Sequence, residues 1–173
     1  MDSKVRDVFS EIEEVLIQAI RDIPVPPETL YACGFWLFYC DYSTISPPCF
    51  GYNSEYGEED ERWAPPEWDV EEEENVFEAL EPAYEKLMGL MEGRSNEAWA
   101  QLVEFQWRFY TDFCARLNAS MNSPSSPFAG WSKTDDFVVG VFEEREGEEI
   151  YNRLAIDSVG RDSAVKLSIV DLG

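Results

Sequence analysis

The sequence predicts one α+β domain over residues 1–173, a mostly antiparallel sheet packed with amphipathic helices, and three observations predict it. From Val5 to Ile23 the apolar residues Val5, Val8, Phe9, Ile12, Val15, Leu16, Ala19, Ile20 and Ile23 share one helical face, with charges opposite. In "ETLYACGFWLFYCD" the positions from Thr29 to Cys40 are β-branched, aromatic or aliphatic on both faces, the composition of a strand covered on both sides. A third stretch places Trp99, Leu102, Val103, Gln106, Phe109, Tyr110, Phe113 and Leu117 on another helical stripe. One-faced helices and a two-faced strand need each other to bury these surfaces.

The elements follow in order. A helix over 4–22 ends at Pro24, Pro26 and Pro27, which cannot continue helical hydrogen bonding. After the strand at 29–40, "YSTISPP" has turn chemistry, and the aromatic segment from Cys49 to Tyr52 reads as a short partner strand. Val76, Leu80, Tyr84, Leu87 and Met91 make a second helical stripe closed by Gly93, with Pro82 predicting a kink or a new start. Ser95 or Asn96 caps a helix over 97–117. "NASMNSPSSPFAGWSK" reads as a loop and is the best candidate for a mobile segment. "DFVVGVFEE" supplies a strand over 137–143 that joins the sheet with 29–40, and "REGEE" a turn beyond it. In the tail, "EIYNRLAIDSV" suits a short helix, while "AVKLSIVDL" suits strand or helix. No internal repeat or linker divides the chain.

Charge narrows the function. Thirteen basic residues against thirty-six acidic ones give a net charge of −23, and residues 55–81 hold thirteen of those acids opposed only by Arg62. Such a field repels nucleic acid and anionic bilayers and attracts a basic protein surface or cations. The first twenty residues lack the basic and apolar regions of a signal peptide, and no run of about 18 apolar residues offers a membrane span. The expectation is a soluble cytoplasmic protein. Cys33, Cys40, Cys49 and Cys114 sit in apolar company without paired spacing and are expected to be buried, reduced thiols.

The inventory for chemistry is thin. The chain has no histidine, which removes the commonest general base, the usual nucleophilic triads and most zinc sites. It has no glycine-rich phosphate loop. Close pairs of carboxylates are unavoidable among thirty-six acids and carry little meaning. "NSEYGEEDE" offers oxygen ligands around Gly57 but departs from the calcium-loop pattern, and Asp135 with Asp136 reads as a strand-entry turn. No cofactor, metal site or catalytic residue is expected.

The segment "RWAPPEW" stands out within the acidic region. Pro65-Pro66 fixes the backbone, so that Trp63 and Trp68 leave a stiff corner in set directions. In one reading the indoles staple the edge of the core, with Glu67, Asp69 and Glu71–Glu74 favouring the N-terminus of the next helix. In the other, an exposed indole rimmed by carboxylates anchors a basic partner. Both hold if one indole is inside and one outside. The candidate partner-binding residues are Glu58, Glu59, Asp60, Glu61, Trp63, Trp68, Glu71, Glu72 and Glu73.

The order of N-terminal amphipathic helix, "ETLYACGFWLFYCD" and "RWAPPEW" leading into an acid-rich helix resembles a bacterial family known as domain of unknown function 4303. The resemblance covers the first half of the chain, and its most specific element is the W-x-P-x-E-W corner, here Trp63, Pro65, Glu67 and Trp68. It implies a small cytosolic protein, some members being encoded beside polymorphic toxin genes as immunity proteins, and it implies no catalytic residues. With the charge, it leads to the expectation of an immunity protein that neutralises a basic toxin effector, a nuclease by preference. The alternatives are a carboxylate- or metal-dependent enzyme, and an acidic structural or adaptor protein. A halophile's domain would spread its acids more evenly.

Overall fold

A computed structural model describes residues 2–40, 42–54, 62–65, 68, 70–71, 76–143 and 145–171. Their elements are helix α1 (Ser3–Asp22), strands β1 (Leu30–Cys40), β2 (Thr44–Ser54) and β3 (Val70–Glu71), helices α2 (Glu78–Met91) and α3 (Asn96–Ala119), strand β4 (Lys133–Val141), and helices α4 (Glu148–Val159) and α5 (Arg161–Lys166). The fold class is α+β, as the sequence predicts.

The sheet order is β3-β2-β1-β4. β1 pairs antiparallel with β2, and β2 with β3, whereas β1 runs parallel to β4. The sheet is therefore mixed: two of its three pairings are antiparallel, as expected, and the third is parallel, so the expected antiparallel character is met in part. The reason lies in the connection: α2 and α3 separate β2 from β4, and a long helical crossover can lay a strand parallel where a tight turn cannot.

β2 also starts earlier than predicted. The double proline at 47–48 was expected in a turn, yet both residues lie in the strand, opposite a register shift between Trp36 and Phe38. Two prolines facing the single Leu37 make a bulge, and among the described residues β3 pairs with β2 at Gly51 and Tyr52 and not at the prolines, so the missing N–H groups cost no ladder bonds there. Pro82 is likewise absorbed, inside α2 near its start, just after a wider π turn at Val76 and Phe77.

One face of the sheet carries Cys33, Phe35, Leu37, Ile45, Phe50, Phe137, Val139 and Val141 into the main core against α1, α2 and α3. α1 is capped by Asp2, whose side chain accepts from Lys4 N at 3.1 Å, and it buries Ile12, Leu16 and Ile20 completely. Each such side chain contributes roughly 1.5–3 kcal/mol. α3 is capped by Ser95 and brings Gln106 and Tyr110 to Tyr84 of α2, where the two phenols lie 2.9 Å apart. The opposite face carries a smaller cluster of Tyr31, Ala32, Val138 and Phe142 with Trp68, Ala155, Val159, Ile169 and Val170.

β4 lies at the sheet edge, and side chains occupy its outer ladder positions. Asn118 donates to Val139 O at 2.8 Å and accepts from Val139 N at 2.9 Å, and Ser158 Oγ accepts from Val141 N at 3.1 Å. These bonds stand in for a further strand and close the edge to foreign pairing. The loop after α3, expected to be mobile, is tied down: Phe128 and Trp131 are buried in edge contact, and Lys133 Nζ donates to the carbonyls of both. The ambiguous tail resolves as α4, the short α5 and an irregular end that buries Ile169 and Val170.

The cysteine expectation holds for two of four. Cys33 and Cys114 are buried, Cys49 is half-buried and Cys40, at the end of β1, is exposed.

Candidate partner-binding surface

The tryptophan corner is built on missing side chains. Gly34 of β1 and Gly140 of β4 leave a hollow in the second face of the sheet, and Phe142 and Trp68 fill it. A Cβ at Gly34 would stand 2.8 Å from Phe142 Cδ2 and 2.9 Å from Trp68 Cη2, and one at Gly140 only 2.5 Å from Phe142 Cζ. Trp68 N donates to Pro65 O at 3.2 Å, and the Trp68 indole lies on Phe142, with ring centroids 6.2 Å apart.

Trp63 sits beside this plug and is half-buried. It meets Tyr31 edge-on at 5.4 Å and Phe142 at 5.6 Å. Tyr31 Oη donates to Arg62 O at 2.6 Å, and the Arg62 guanidinium lies over the rings of Tyr31 and Trp63. Burial pushes the Tyr31 phenol up to about 12, against the opposing pull of the Arg62 charge. The lone cation of the acidic stretch is thus held against two rings.

Of the residues singled out in the sequence, Trp68 is a core residue at 4% exposure, and the structure gives it the staple role. Trp63 is the indole with a face near solvent. Glu71 belongs to β3, whose backbone pairs with Gly51 of β2. Glu58, Glu59, Asp60, Glu61, Glu72 and Glu73 lie outside the described residues, as does most of "NSEYGEEDE". The acidic stretch is nevertheless fixed at several points: β2 leads into it up to Ser54, and within it Arg62 to Pro65, Trp68, the backbone of β3 and the buried Val76 are held in place.

A second constellation is not legible in the sequence. Glu143, just past β4, is fully buried, and its carboxylate accepts from Arg145 Nε at 2.7 Å and Arg145 Nη2 at 2.9 Å. Arg145 also donates to Leu37 O and lies against the rings of Trp36, Phe38 and Tyr39. The Glu143 bonds raise the guanidinium above its usual value. Tyr39 Oη donates to Glu146 at 2.8 Å, and burial together with this acid raises the Tyr39 phenol. Nearby, Arg153 pairs with Glu104 at 3.3 Å and covers Trp107. "FEER" at a strand end reads as solvated charge, and only the third dimension shows the acid turned inward.

The described carboxylates of this cluster are engaged by cations or phenols, and the geometry is that of a clamp joining the ends of β1 and β4. Among the described residues, no three Cys, Asp or Glu side chains converge as a metal ion would require. No described helix is long and apolar enough to cross a membrane. Asp135 and Asp136 lie in β4 itself, and Asp136 pairs with Lys166. No known family model, curated protein or solved structure matches the chain.

Proposed function

We propose that the protein is an acidic inhibitor of the immunity-protein kind, which binds a basic toxin effector, a nuclease by preference, in the cytoplasm and acts by occlusion and not by turnover. One observation carries this reading: more than half of the net charge belongs to one stretch, 55–81, which is anchored to the sheet from within by the buried Trp68 and by the backbone pairing of β3. Concentrating like charge opposes folding through self-repulsion, so anchoring it at one place is sensible where an oppositely charged surface must be met.

The carboxylates steer encounter, and Trp63 is the indole positioned to enter a desolvated contact, since Trp68 is occupied by the core. The absence of histidine supports binding over catalysis. Cys40 and Cys114 as free thiols, the first of them exposed, suit a reducing compartment. Charge and anchoring carry the proposal independently of the family resemblance.

The test is to purify the chain with the basic product of an adjacent gene and measure association and dissociation. The reading predicts a stoichiometric complex that abolishes the partner's activity and whose association slows at least about tenfold between about 0.01 and 0.15 M salt. Metal-stimulated turnover by the purified chain, lost on replacing one carboxylate, would overturn it.

A further inference from the structure

Among the described residues no strand covers the outer edge of β2 beyond β3, and a groove of 370 Å³ runs between it and α2. Ile45 and Pro47 form one wall, Phe77 and Met88 the other, and Glu81 and Glu85 line it as well. The Ile45 N–H donates to Met88 Sδ at 3.5 Å, a weak acceptor, so a flexible thioether closes the edge here. Phe77 is half-buried, edge-on to Phe38 with centroids 6.4 Å apart.

The charge of this groove is one-sided. Glu81 and Glu85 are exposed and one helical turn apart on α2, where residues at this spacing share a face. Among the described residues no lysine or arginine lines the groove, and Lys86 is engaged elsewhere, by Glu11 at 2.6 Å. The acidic run Glu71–Glu74 ends three residues before Phe77, so groove and field adjoin along the chain.

We propose that this groove seats an arginine or lysine side chain of the basic partner, with the aliphatic stem over the half-buried Phe77 and Met88 and the cationic head between Glu81 and Glu85. Long basic side chains cover apolar surface with their stems while the head keeps polar company, and paired carboxylates one turn apart supply that company. A second copy of the chain is a poor occupant, because two molecules of net charge −23 repel. An anionic ligand would meet the same two carboxylates. The inference rests on the reading of the protein as a binder of basic partners and names where the specific contact is made.

The probe is the extended peptide acetyl-Leu-Arg-Val-Arg-amide, titrated into methyl-labelled protein at low salt. Saturable shifts of the Met88 and Ile45 methyl signals are expected. Glu81→Gln with Glu85→Gln should weaken binding at least about tenfold, whereas Glu14→Gln with Glu28→Gln, which changes net charge equally on exposed sites elsewhere, should weaken it less than about threefold. Equal weakening by the two pairs would reduce the effect to the long-range field and overturn the groove. Saturable binding that leaves both methyl signals unmoved would also overturn it, and so would absence of binding. Because the methyl shifts are read on the unmodified chain, the test stands even if a variant folds poorly. None of these results bears on whether the toxin-like partner binds, which the association measurement decides separately.

Discussion

The two faces of the sheet are held by different means. On the larger face, α1, α2 and α3 lay periodic stripes of aliphatic and aromatic residues over Phe35, Leu37 and Val139, so each side chain meets several others of similar kind. On the smaller face, two rings, Phe142 and Trp68, fill a hollow that exists only because Gly34 and Gly140 lack a Cβ. The first arrangement is redundant and averages over many contacts. The second depends on a few residues from a strand end and a proline corner, and on what is missing beneath them. The difference teaches that the stiff "RWAPPEW" segment is, at Trp68, part of how the fold is closed.

That contrast can be broken most strongly at Trp68. Trp68→Ala should cost about 3–5 kcal/mol in chemical denaturation, because it removes the indole packed over Gly34, which has no side chain to refill the space. Next comes Gly140→Ala, at about 1–3 kcal/mol, since the new methyl would collide with the Phe142 ring. On the redundant face, Ile12→Val should cost only about 0.5–1.5 kcal/mol in the same assay. If the added methyl at Gly140 is cheaper than the removed one at Ile12, the distinction between the faces fails. Trp63→Ala should cost about 1 kcal/mol, chiefly through its contacts with Tyr31, Phe142 and Arg62, and should leave the fold intact by circular dichroism.

A pH titration sharpens the same comparison without mutation. Burial raises the Tyr31 phenol on the smaller face from 10.0 to about 12, and raises Tyr84 and Tyr110 on the larger face as well. A phenol whose pKa is higher when folded favours the native state while it is protonated. This stability is fully present below pH 10.0 and is lost as pH rises toward about 12 for Tyr31 and beyond that for the others. Denaturation midpoints should therefore be insensitive to these groups at neutral pH and fall above pH 10.0. A midpoint that rises in that window would contradict the burial of these tyrosines.

Much of the helical face was legible because a period of 3.6 leaves its mark on every turn: the stripes of α1 and α3 and the cap at Ser95 appear in the residues themselves. The strand β1 was legible from its two-sided apolar content. The parallel course of β4 was not, since the residues of a strand do not record which neighbour it joins. Nor was the strand character of Pro47 and Pro48, because a bulge on a sheet edge admits residues that local preference assigns to turns. The corner at Trp63 and Trp68 was recognised as stiff, but which indole is inside depends on Gly34 and Gly140, which are distant from it in the chain. The inward turn of Glu143 was hidden for the same reason, its stabilising contacts including a bond from Arg145 to Leu37 of another strand.

The central claim is that the corner holds while the acidic stretch steers, and one measurement separates the two roles. The association rate with the basic partner should be recorded against ionic strength for the native chain and for the variant Glu58→Gln, Glu59→Gln, Asp60→Asn, Glu61→Gln. The account predicts a rate that falls steeply with salt for the native chain and a clearly shallower dependence for the variant, with thermal stability unchanged or raised by the relief of repulsion. Identical salt dependence in the two proteins would contradict it and place the interface away from this stretch.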